Sequence, residues 1–262
     1  MSADSRPGFF GKLPSHGDFV SRGLAREFTD EWDLWLQHCV AESKATLGDA
    51  WTDSYLVSPI WRFVVAADVC GTSVWSGIVF PSVDRVGRYF PMTIAVAALP
   101  DAVPLQIVTS AGAWFAAAEQ IAWEVLDEEG YDADRLENAM GSLGGIDFGS
   151  SRLTFAAHDT AAGAGNGVAV SIAEGATVGQ AVLVLAQQLV GVTMKGGHSL
   201  WWTGGSEKVP SMLFVAPGLP DPASFVGMLD FEHASDAGPV PVAFGLPHAT
   251  AATEPALEPG VE

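Results

Sequence analysis

Pro81-Ser82-Val83-Asp84-Arg85-Val86-Gly87-Arg88-Tyr89-Phe90-Pro91-Met92 separates two apolar runs, Val74 to Phe80 and Met92 to Leu99. Both runs are rich in Val, Ile and Phe and read as buried strands. Pro81 and Pro91 lack an N–H, so neither fits mid-sheet, and the strands should end at them. The connection holds Asp84, Arg85 and Arg88, and two of these are among only 12 basic residues in a chain of net charge −19. A tight loop of this composition should carry a small Arg–Asp ion network, because a guanidinium meets a carboxylate in a geometrically exacting, bidentate way. Two uses of that network stay open. It holds the loop together, or it recognises a carboxylate, a phosphate or a partner.

Just upstream, Ile60 to Val65 reads as a third strand, entered by an extended approach from Ser54 and by Pro59. With Ser73–Phe80 and Met92–Ala98 it forms an antiparallel meander on short connections. Arg62 sits inside this strand. Arg is seldom buried unpaired, so a carboxylate is expected beside it, with Asp84 and Asp18 as candidates.

The N-terminal stretch Gly8–Leu13 is a short aromatic strand. It leads into Pro14-Ser15-His16-Gly17-Asp18-Phe19-Val20, which reads as loop. Ser15, His16 and Asp18 are types used in hydrolytic relays, but such relays join side chains from separate elements, and a tight loop rarely gives that geometry. Turn stabilisation is the simpler use of Asp and Ser here.

Glu27 to Leu47 reads as a helix capped by Thr29, with Phe28, Trp32, Trp35, Leu36, Cys39, Val40 and Leu47 on one stripe. Ser110 to Glu129 reads as a second, ending in Asp127, Glu128 and Glu129, against the helix dipole and without evident reason. A short helix over Asp132–Met140 and a loop over 141–149 follow. Arg152–Ala157 and Gly167–Ile172 read as a strand pair, and Thr177–Leu189 as an apolar helix. Ser199 to Thr203 reads as a strand whose Trp201 and Trp202 face opposite sides. A strand at Met212–Val215, a short helix at Asp221–Leu229 and a disordered acidic tail from 236 to 262 complete the chain. Blocks of strands and helices without a linker predict one α/β domain over 7–235: a three-layer α/β/α sandwich around a mixed, largely antiparallel sheet.

With 262 residues and 48% hydrophobic content, the chain can bury a core without disulfide or metal staples. Cys39 and Cys70 form no ligand pattern and read as packed free thiols, as in a reducing compartment. The six His residues are scattered, so no metal is expected. No apolar stretch reaches the ~20 residues of a membrane span, and the N-terminus has no leader pattern; a cytoplasmic protein is expected. Residues 1–100 hold 8 basic and 11 acidic groups; the other 162 hold 4 and 20. That field disfavours nucleic acid and anionic membrane as partners. Lys195–Ser206 contains glycines but no phosphate-loop spacing, and no cofactor is expected.

Five segments in order resemble one family: GFFGKLPSHGDFVSRGL at 8–24, the W-D-x-W-L of Trp32–Leu36, SPIWRF at 58–63, GIVFPSVDRVGRYFP at 77–91 and SLWWTGGS at 199–206. Together they are similar to the TagF (ImpM) family of type VI secretion accessory proteins. The resemblance runs from about Gly8 to Leu229 and is weak over 130–195. It implies a non-enzymatic cytoplasmic protein that represses secretion post-translationally by binding the forkhead-associated scaffold protein of the apparatus. It carries over Ser15, His16, Asp18, Arg62, Ser82, Asp84, Arg85, Arg88, Trp201, Trp202 and Ser206 as interaction or loop-network residues. The loops around Ser15 and Ser82 are expected to meet at one end of the sheet. The alternative is a small-anion binder or cryptic hydrolase using Arg85 and Arg88 as a phosphate clamp, with His16 or His198 as acid/base.

Overall fold

A computed structural model describes residues 6–98, 104–146 and 197–233. Among the described residues seven strands form one sheet: β1 (Gly8–Lys12), β2 (Phe19–Arg22), β3 (Trp61–Val65), β4 (Val74–Phe80), β5 (Met92–Ala98), β6 (His198–Thr203) and β7 (Met212–Pro217). Their order is β2-β1-β5-β4-β3-β6-β7, and every pairing among them is antiparallel. The meander β3–β4–β5 sits at the centre. Its strands end where the prolines require: β4 stops at Phe80 and β5 starts at Met92, which are cross-strand partners.

The helices are α1 (Arg26–Leu47), α2 (Trp51–Leu56), α3 (Pro104–Ser110), α4 (Gly112–Asp127), α5 (Ala133–Leu143) and α6 (Phe225–Leu229). Strand residues alternate between two hydrophobic clusters. Trp61, Phe63, Val65, Trp75 and Val79 join the cluster built with α1, α2 and α6. Val64, Val74, Ile78 and Phe80 join the one built with α4 and α5. That is the period of two expected of a sheet covered on both faces.

Trp32 is the hub of the first cluster. It is fully buried, lies 4.5–5.8 Å from the rings of Phe28, Trp35, Phe63 and Trp201, and donates its indole N–H to Thr93 Oγ1 at 2.8 Å. Trp201 and Trp202 do face opposite sides. Trp201 stacks in this cluster, and Trp202 meets Phe115 of α4 edge-on at 4.8 Å. Cys39 and Cys70 are free and buried, and burial pushes the Cys70 thiol up to about 12.

Several expectations need correction. The approach from Ser54 is not extended but helical (α2), because Trp51 and Tyr55, one turn apart, both bury their rings. Phe19 and Val20 are not loop. They open β2, which pairs with β1 from Lys12↔Phe19 onward. Thr29 does not cap α1, which begins three residues earlier. Its hydroxyl bonds the carbonyls of Ala25 and Arg26 from inside the helix. The second helix is shorter than expected, with α3 standing before it and Asp127 ending it. Its acidic end has a reason after all, since Glu128 pairs with Arg135 of α5 at 2.5 Å. The strand pair at 152–172, the helix at 177–189 and the tail at 236–262 lie outside the described residues.

A second polar cluster ties α2 to α6. Ser54 donates to Asp230 Oδ2 at 2.9 Å, Lys208 Nζ lies 3.1 Å from the same oxygen, and His233 Nδ1 lies 2.9 Å from Oδ1. Burial pushes the Asp230 carboxyl up, but hydrogen bonds from His233, Lys208 and Ser54 outweigh it and bring it down to about 2. The unfolded chain therefore binds this proton first, near pH 4. The stability it contributes is complete above that pH and drains away as pH falls towards 2. Melting temperatures measured from pH 6 to 2.5 should fall in this window, and more gently in Asp230→Asn. Parallel curves for the two proteins would refute the assignment.

Candidate functional site: two loops pinned at the sheet edge

The β1–β2 turn (13–18) and the β4–β5 connection (81–91) lie at the same end of the sheet and are cross-braced. Ser82 donates its hydroxyl to Lys12 O at 2.7 Å, and Arg85 N–H donates to His16 O at 2.9 Å. Lys12 Nζ lies 2.5 Å from Asp84 Oδ2, and both side chains are almost fully shielded from solvent. Arg88 donates Nε–H to the same oxygen at 2.7 Å and reaches across to Gly17 O with Nη2. Gly11 of β1 makes room for this approach. At φ +142° its backbone passes so close to Pro91 O that a Cβ would overlap it.

Asp84 also organises its own loop. Its Oδ1 accepts the N–H groups of Val86 and Arg88 at 3.0 and 2.8 Å, and its carbonyl takes Gly87 N–H at 2.9 Å. Asp at the first position of the turn and Gly at the fourth, with φ +86°, suit this geometry. Burial alone would raise the Asp84 carboxyl. Hydrogen bonds from Lys12, from the Arg88 backbone and side chain, and from Val86 N–H outweigh it and hold the group well below the usual carboxylate range. From below, Tyr55 of α2 closes the base of the loop. Its hydroxyl donates to Ser82 O at 2.9 Å and accepts Ser82 N–H at 3.0 Å, all buried. Tyr55→Phe should cost about 1–3 kcal/mol in urea unfolding, because two buried backbone groups lose their partner. A loss below a few tenths would show that water replaces it.

The expected residues divide. Ser82, Asp84 and Arg88 form the brace with Lys12. Arg85 does not join it, for its guanidinium is exposed and has no ion-pair or hydrogen-bond partner among the described residues. Arg62 pairs with neither Asp84 nor Asp18. Strand alternation turns it towards α4, where it grips Glu119 through two bonds of 2.6 and 2.8 Å. Ser15, His16 and Asp18 form no relay. Ser15 donates to Tyr131 O at 2.6 Å and so accepts from His16 Nδ1 at 2.9 Å, while Asp18 takes the N–H of Phe19. Trp201 is core, and Trp202 is packed on Phe115. Ser206 belongs to the β6–β7 turn, where its N–H bonds Val209 O at 2.7 Å. Three strand spacings, roughly 14 Å, separate that turn from the brace.

Lys12 and Tyr55 are the residues sequence reasoning missed. A lysine closing the aromatic strand GFFGK is the same buried-cation signal that singled out Arg62. Tyr55 gave no signal once its segment was read as extended.

A family model described as the TagF N-terminal domain, type VI secretion system-associated, matches residues 8–143. The chain belongs to the TagF family. The match spans both braced loops and the meander between them. A solved relative extends the likeness: the crystal structure of PA0076 from Pseudomonas aeruginosa PAO1 is 33% identical, covers 92% of this chain and 100% of its own, and superposes with a TM-score of 0.73. A search of curated proteins gives no match. This TagF protein is thus a type VI secretion-associated α/β protein. No helix among its described residues is long and apolar enough to cross a membrane.

Proposed function

We propose that this TagF chain is a non-enzymatic, cytoplasmic repressor of a type VI secretion system that acts by binding the system's forkhead-associated scaffold protein. The observation that carries the reading is the braced rim. Two loops are fixed by a shielded Lys12–Asp84 pair and by backbone bonds, yet they hold exposed side chains, among them Arg85, outward. Fixed loops on a rigid sheet are the usual place for recognition. The residues nearest to a hydrolytic pattern, Ser15 and His16, are instead committed to Tyr131 O and to each other.

The test is direct. Purified chain and purified scaffold should form a complex in size-exclusion chromatography, and excess chain supplied to secreting cells should lower the release of secreted substrate while its cellular level stays constant. Absence of a complex at tens of micromolar, or secretion unchanged by excess chain, overturns the reading.

A further inference from the structure

The rim has a sign and a texture that point to the character of the surface it meets, on the reading that this TagF protein binds a scaffold. Acidic groups outnumber basic ones 31 to 12 in the chain. Cations in such a chain are consumed pairwise, and most of the described ones follow the rule. Lys12 and Arg88 meet Asp84, Arg22 meets Asp134 and Glu137, Arg62 meets Glu119, Arg135 meets Glu128, and Lys208 meets Asp230. Arg85, Arg26 and Lys44 are described cations without such a pair, and Lys44 lies 4.4 Å over the ring of Trp51 instead. Arg26 stands in the first turn of α1, away from the brace.

Arg85 is different because its surroundings are both fixed and apolar. Its backbone is bonded to His16 O and lies inside the Asp84–Gly87 turn. The next residue, Val86, is 64% exposed at the loop tip, and Phe19, at the start of β2, is 46% exposed. Phe19 is held rigidly, stacked on Phe10 at 5.9 Å, edge-on to Phe90 at 4.9 Å, and capped by Lys12 Nζ at 4.7 Å. A fixed aromatic, an aliphatic tip and an unpaired guanidinium make up the composition of an interface centre. Asp18 is the exposed carboxylate of the facing loop, and one of its oxygens is occupied by Phe19 N–H.

We infer that the rim formed by Arg85, Val86 and Phe19 docks an acidic protein surface, one whose carboxylates pair with Arg85 while an apolar neighbour receives Val86 and Phe19. At physiological salt, charges more than about 8 Å away are screened, so the local cation decides the sign of the contact despite the net charge of the whole. A free phosphate fits less well. Arg88 and Lys12 are spent on Asp84 and Gly17 O, which leaves one guanidinium on an exposed loop tip beside apolar side chains.

The experiment measures scaffold binding by calorimetry for wild type, Arg85→Ala, Arg85→Glu and Val86→Ser. Melting temperatures should stay within about 2 °C of wild type, since none of these side chains holds the fold. Affinity should drop about tenfold for Arg85→Ala and a hundredfold or more for Arg85→Glu. Raising NaCl from 50 to 500 mM should weaken the wild type more than Arg85→Ala. Equal affinity in folded Arg85→Glu overturns the surface but leaves scaffold binding intact. No binding by wild type sinks the parent reading and this one with it. Competition by 5 mM inorganic phosphate that vanishes in Arg85→Ala would overturn the acidic-protein assignment in favour of an anion site.

Discussion

Replacing Asp84 by Ala should destabilise this TagF protein by about 3 kcal/mol and loosen both loops together. The carboxylate receives four donors, namely Lys12 Nζ, Arg88 Nε and, through Oδ1, two backbone N–H groups, while its own carbonyl closes the turn with Gly87. Removing it strands the shielded Lys12 ammonium, and breaking a buried pair from one side typically costs about 3–5 kcal/mol. The lower figure is used because the pair sits just beneath the rim, where water can reach the freed amine. Urea unfolding measures the loss. Proteolysis should report the loosening as new cleavage within both 13–18 and 84–88, although the substitution touches only the second. The double variant Lys12→Met/Asp84→Leu should be less damaging than the sum of the two single variants, because no ammonium is left unpaired. Strict additivity, or cleavage confined to 84–88, would mean that the brace does not couple the loops.

The second large effect is expected at Trp32→Ala, at about 3–5 kcal/mol. The change empties the point where Phe28, Trp35, Phe63 and Trp201 converge and leaves Thr93 Oγ1 without its donor. For a chain of this size that should lower the melting temperature by roughly 10 °C. Trp32→Phe keeps most of the ring contacts and should recover more than half of the loss. If the two variants melt together, the indole hydrogen bond to Thr93 outweighs the packing.

The two predictions separate the two ways the rim is held. Trp32 fastens α1 to the sheet and so fixes the frame. Asp84 fastens one loop to the other on that frame. Arg85 belongs to neither, which is why its loss should change binding and leave stability alone.

What the sequence determined alone was whatever rests on local chemistry. Prolines at 81 and 91 ended the central strands, because a residue without an N–H cannot continue a ladder. The stripe from Phe28 to Leu47 set the face of α1. Adjacent Trp201 and Trp202 had to point apart on a strand. Family membership was also legible, since five motifs kept their order. What only the tertiary structure decided was every long-range pairing. Arg62 announced a buried cation, but whether its carboxylate would come from Asp84, Asp18 or Glu119 depended on which helix covered that face. Asp84 was expected to meet arginines. One of them, Arg85, stands outward, and Lys12, 72 positions away, takes the place beside Arg88 on the carboxylate. Charge and polarity are properties of a residue, and sequence carries them. The distance between two charges is a property of the fold, and it falls off so steeply as an energy that a single strand register chooses the partner.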